Sequence, residues 1–149
     1  MSDHMDQTRK HVQLLAYAGL TPFVGLAVLL WLVDADLHPF VALAMTGYGA
    51  VIVSFLGGIH WGIGFRNAAR MHNAPVFNFV WGVVPSLLAW IAISMPAYAG
   101  LPLLAVILGL CYAVDRKAYR EANLQEWLPM RLRVTVVAAL SCLMGAAAT

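Results

Sequence analysis

Apolar residues in this chain run in long, nearly unbroken stretches, each closed by a short polar or basic segment. Five such stretches, at about 13–33, 39–64, 76–95, 99–114 and 131–148, meet or approach the roughly 20 residues an α-helix needs to cross about 30 Å of hydrocarbon. A membrane β-barrel would instead show segments of about ten residues alternating apolar and polar, so the pattern predicts helices. The expected fold class is all-α: a polytopic membrane protein of five transmembrane helices forming one domain over residues 1–149, with the fourth helix the shortest.

Within the second stretch, small residues recur at every fourth position, as Ala42, Thr46, Ala50, Ser54, Gly58 and Gly62. Glycine costs a helix about 1 kcal/mol per position, and in membranes the usual return is close approach of a neighbouring helix. The second helix is therefore expected at the centre of the bundle, with Ala50, Ser54, Gly57, Gly58 and Gly62 as packing positions. A strict four-residue repeat drifts about 40° per step around a 3.6-residue helix, so the stripe winds and meets more than one neighbour. On this reading Gly58→Leu disrupts folding, whereas His60→Ala leaves a folded protein with altered ligand or partner behaviour.

Composition agrees: 62% hydrophobic residues, 11% charged residues and a mean hydropathy of +0.78 lie outside the range of soluble globular domains. Charge adds an orientation. All nine Lys and Arg residues fall before the first helix, between the second and third, or around the junction of the fourth and fifth. Basic residues are retained on the cytoplasmic side, so the N-terminus is expected in the cytoplasm and the C-terminus in the periplasm. The first stretch is longer than a signal-peptide core, and Asp3 and Asp6 argue against a mitochondrial transit peptide, which leaves a multi-pass protein of a bacterial inner membrane. Cys111 and Cys142 differ in depth by about 12 Å and are expected as free, buried thiols.

The chain has no GxGxxG, Walker A, HExxH or CxxC motif and no basic face suited to nucleic acid. Candidate chemistry sits in the basic-side leaflet. There His60, Trp61, Asn78, Trp81 and Tyr17 could converge on a cavity with Arg131 and Arg133 at its mouth, polar enough for a quinone or lipid headgroup. The opposing reading makes His60 a helix-locking donor. Pro22, beside Thr21, and Pro85, beside Ser86, free the carbonyls of Ala18 and Trp81, which neighbouring hydroxyls could satisfy. Asp34, Asp36 and His38 read as a solvated turn, so no metal is assigned. The segment Asp115–Arg133, with charges of alternating sign, reads as a solvated loop or a contact surface.

The blocks YAGLTPF at 17–23, YGAVIVSFLGGIHWG at 48–62, VPSLLAW at 84–90 and LPMRLRVT at 128–135 resemble bacterial members of the family that includes mitochondrial transmembrane protein 69. The resemblance implies a small polytopic membrane protein and carries no activity with it. Two functions follow. One is a non-enzymatic accessory or assembly subunit of a larger membrane complex, respiratory or otherwise redox-active. The alternative is a module binding a quinone, lipid or haem around His60, although a single deep histidine disfavours bis-His haem. An enzyme would want paired carboxylates or a nucleophile with its base at membrane depth, so no catalytic residue or cofactor is assigned.

Overall fold

Helix continues past the apolar stretches wherever one face stays apolar while the other turns polar. The structure, a computed structural model, describes residues 2–71 and 76–149. It contains α1 (Ser2–Ala18), α2 (Thr21–Leu29), α3 (His38–Met71), α4 (Val76–Ser94), α5 (Ala97–Glu121), a single 3-10 turn (Gln125–Trp127) and α6 (Leu128–Ala147). Together α1 and α2 make one span, so five helical spans are long and apolar enough to cross a membrane. The fourth, expected to be the shortest, is 25 residues long. It starts directly after Pro96, two residues before the expected start of the apolar stretch, and continues through Asp115 to Glu121.

The break between α1 and α2 falls at Gly19 and Leu20, and Pro22 stands in the first turn of α2, where its missing N–H leaves no gap. The hydroxyl reaching this break comes from Tyr48 on α3. It donates to the carbonyl of Gly19 at 2.7 Å, where the sequence suggested Thr21 and Ala18. Tyr48 also meets Phe23 edge to face at 5.0 Å. We expect Tyr48→Phe to lower stability by about 1 kcal/mol, the net worth of one hydrogen bond, as read by thermal unfolding in detergent. An unchanged midpoint would show that the break needs no support from α3.

α3 is the central helix, packed against α2, α4, α5 and α6. The core gathers Phe23 and Ala27 from α2, Met45 and Val53 from α3, Ala89 and Ala92 from α4, Leu101, Leu104 and Leu108 from α5, and Ala138 and Cys142 from α6. Cys111 and Cys142 are free and buried.

The small-residue stripe corrects one expectation. Ala42, Thr46 and Ala50 are buried and Ser54 is half-buried, but a side chain at Gly58 or Gly62 would meet nothing within 4 Å. Five steps of about 40° carry the stripe some 200° around the helix, from the inner face to the outer one. The close approach is made by Gly57, whose added Cβ would collide with the carbonyl of Gly82 on α4, and by Gly64, against the ring of Phe79. All nine basic residues lie at or near the end of the bundle that carries the α3–α4 and α5–α6 connections, called the basic end below.

Candidate functional site

On α5, Leu104, Leu108, Cys111, Asp115 and Tyr119 follow one another at intervals of three or four residues, so a single inward face runs from the apolar core into the charged segment. All five are buried, Asp115 with 1% of its surface exposed. Its carboxylate is held from two sides. Oδ1 lies 2.7 Å from His60 Nε2 on α3, and Oδ2 accepts from an Arg131 Nη on α6 at 2.6 Å. The other Arg131 Nη donates to Thr135 Oγ1 at 2.7 Å. His60 is 0% and Arg131 6% exposed, so the ion pair is withdrawn from solvent and ties α3, α5 and α6 together.

A carboxylate accepts only, so His60 Nε2 carries the proton of their shared bond. His60 Nδ1 and Arg131 Nε are buried without a partner among the described residues. The cluster fits the rule that intramembrane charges pair with one another and face the bundle interior. Asp115 was assigned from sequence to a solvated segment, and that reading is overturned by its burial. The usable signal was its register: it stands four residues after Cys111 and four before Tyr119 on an otherwise apolar face.

Beside this cluster runs a groove of about 500 Å³, within the range of small-molecule sites. Its walls are Val12, Leu15, Leu20 and Phe23 from the first span, Ile52, Phe55, Leu56 and Ile59 from α3, and Trp127, Met130, Arg131 and Val134 around the start of α6. The groove exists because α1 leans mainly on α6 and leaves α3 uncovered on that side. Side chains able to hydrogen-bond, Tyr119, Trp127 and Arg131, stand only toward the basic end.

Local sequence builds that end. Asn123 takes the left-handed conformation, φ 58°, that asparagine tolerates better than most residues. Leu124 N–H donates to the Tyr119 carbonyl at 2.7 Å and Asn123 N–H to the Arg120 carbonyl at 3.2 Å. This pair of bonds is a Schellman closure, and it brings Leu124 back against Tyr119 at the groove. At the rim, Arg9 is ion-paired with Glu126 and lies 6.0 Å over the Trp127 ring. Away from the groove lining, Arg133 of α6 donates to the Tyr17 hydroxyl of α1 at 3.4 Å.

The residues singled out from sequence therefore separate into three places. His60 and Arg131 meet on Asp115, and Tyr17 and Arg133 meet each other between α1 and α6. Trp61 lies on another face of α3, edge to face with Phe65 and Phe79, and its Nε1 donates to the Phe79 carbonyl at 2.9 Å. Trp81 stacks on Phe77, and Asn78 lines a second groove of about 480 Å³ with Asn67, Lys117 and Glu121. His60 lines neither groove, so its imidazole offers no open face to a haem iron from either. Among the described residues no three His, Cys, Asp or Glu side chains, Asp34, Asp36 and His38 included, come together to hold a metal ion.

Comparison with known proteins places this arrangement. Residues 8–147 match the family described as protein of unknown function (DUF3429). The chain belongs to this family. It is similar to transmembrane protein 69 of Xenopus tropicalis, 37% identical over 132 residues that cover 85% of this chain and 50% of the relative. It is also similar to transmembrane protein 69 of Mus musculus, 27% identical over 128 residues covering 85% of this chain and 51% of the relative. The chain thus spans about half the length of the curated relatives it matches. No solved structure matches it. Family and fold agree on a multi-pass membrane protein of helical spans.

Proposed function

We propose that this chain is a small-molecule module that takes an amphiphile from the bilayer into the groove between its first span and α3. The observation that supports this is the shape and chemistry of the groove. From Val12 to Phe23 is eleven residues, about 16 Å at 1.5 Å per residue, which is close to half the hydrocarbon thickness. A tail one leaflet deep fits that length. Lining groups that hydrogen-bond only at the basic end fit a head kept at the interface, and the buried His60–Asp115–Arg131 cluster holds the wall beneath it in place. The basic end faces the cytoplasm of a bacterial inner membrane on this reading, following the retention of Lys and Arg.

Ala16 lines the groove and touches none of the cluster's hydrogen bonds. Ala16→Trp is expected to lower the amphiphile that co-purifies with the protein at least about tenfold, measured by lipid extraction and mass spectrometry, with little change in thermal unfolding. Equal content in both proteins would end this reading.

The accessory-subunit reading has one observation in its favour. Gly47, Gly58 and Gly62 face outward with open space where a side chain would be, and Gly58 and Gly62 make a GxxxG pair. Native electrophoresis after gentle solubilisation tests it. A larger assembly lost on Gly58→Leu supports a subunit, and an unchanged migration removes the glycine pair as its contact.

A further inference from the structure

We propose that the groove between α3, α4 and α5 is a second binding site, for the uncharged, oxygen-bearing head of a membrane amphiphile held by the carboxamide of Asn78. A quinone carbonyl and a glyceride hydroxyl both have that chemistry. The two grooves share no lining residue, so this site does not depend on the one beside the first span.

The first observation is Asn78 itself. It is 7% exposed and lines the groove, and among the described residues its carboxamide takes part in no hydrogen bond. Buried polar groups are paired in nearly all native structures. An amide left unpaired on a cavity wall is satisfied by what enters the cavity.

The second is the charge around it. Lys117 and Glu121 are the charged residues of the lining, and they pair with each other at 3.9 Å, four residues apart on α5, with both side chains exposed. Their charges cancel, and Asn67 adds a second neutral amide. An anionic head seated on Asn78 would exchange its water for amide dipoles and no free cation, whereas a carbonyl or hydroxyl gives up far less. An amide suits both, since its Nδ2 donates to a carbonyl and its Oδ1 accepts from a hydroxyl.

The third is position. Ile63, Phe77 and Val114 supply apolar wall, and Phe77 is an exposed side chain in the first turn of the span that α4 makes. Asn78 follows it directly, and the next residue, Phe79, packs on Trp61 and Gly64 of α3. A head on Asn78 therefore lies just inside the basic end, with Phe77 beside it for the apolar remainder of the molecule.

The test is equilibrium binding to the full chain in a neutral detergent, read by native mass spectrometry. The probes are decylubiquinone, dioctanoylglycerol and a phosphatidylglycerol, each measured on the parent and on Ala16→Trp, which bears on the first groove alone. We expect at least one uncharged probe to bind more tightly than phosphatidylglycerol. Asn78→Leu, which keeps the size of the side chain, should weaken that binding about fivefold, the worth of one hydrogen bond, and to the same extent in both backgrounds. Ala113→Trp, on the groove wall, should abolish it. The thermal midpoint of Asn78→Leu should be unchanged or raised, because no bond within the protein is lost. A fall in the midpoint would show the amide paired inside the fold and overturn the assignment. Failure of both uncharged probes to bind, or undiminished binding by Asn78→Leu, would leave the amide to water and overturn it equally. Decylubiquinone bound without dioctanoylglycerol names a quinone, and the reverse names a glyceride. Phosphatidylglycerol bound as tightly as either, and weakened by Lys117→Gln, would replace the uncharged head by an anionic one.

Discussion

Asp115→Ala is expected to destabilise the protein by about 3–5 kcal/mol, the usual consequence of removing one partner from a buried ion pair. The carboxylate accepts from both His60 and Arg131, so its loss strands a guanidinium that is 6% exposed and leaves the His60 Nε2 proton without an acceptor. His60→Gln should cost less, about 1–3 kcal/mol, because Arg131 still neutralises Asp115. This revises the expectation that His60→Ala would leave the fold intact and alter ligand or partner behaviour, since among the described residues the imidazole is one of two side chains on that carboxylate. The combined variant His60→Leu, Asp115→Leu, Arg131→Met should recover much of the loss, because buried ion pairs often do little better than well-packed apolar groups. Unfolding free energies measured by steric trapping in bicelles would check the series. An Asp115→Ala protein within about 1 kcal/mol of the parent would mean that water reaches the cluster.

Gly57→Leu should be as damaging, while Gly58→Leu, one residue on, should be close to neutral in the isolated chain. At Gly57 any side chain meets the backbone of Gly82 and the ring of Pro85 on α4, and a carbonyl cannot move aside as a flexible side chain can. Overpacking typically costs about 1–3 kcal/mol, and separating two backbones takes it to the upper end or beyond. Trp61 depends on the same approach. Its indole fills the space that the absent side chain of Gly82 leaves, and its Nε1 reaches the Phe79 carbonyl. Forcing α3 and α4 apart therefore strands that donor as well. Thermal unfolding of both variants in one detergent gives the comparison, and equal losses at the two glycines would mean that Gly58 also has a neighbour.

Much of the architecture was legible because membrane helices advertise themselves by length: five apolar stretches became five spans. The ends were harder to read. Asp115 to Glu121 carries five charged residues, which look like a loop when counted, yet Asp115 and Tyr119 continue the apolar face of Leu104 and Leu108. Burial there depends on which side of a turn a residue occupies, and composition averages that away. The same arithmetic decided the glycines. The drift of a four-residue repeat was visible in the sequence, but only the helix partners show that its inner half is Ala42–Ala50 and its outer half Gly58–Gly62. His60 and Arg131 were both singled out as polar residues in one leaflet. What joins them is a carboxylate 55 residues from one and 16 from the other, a pairing no local spacing displays.

The cluster also has an order in time. His60 enters the membrane with the second span, Asp115 with the fourth and Arg131 with the last. Until α6 arrives, a nascent chain holds that carboxylate with the imidazole beside it and without the guanidinium that neutralises it. The last span is thus the one that completes the ion pair. A chain that stops short of α6 keeps His60 on Asp115 and lacks the cation on its other oxygen.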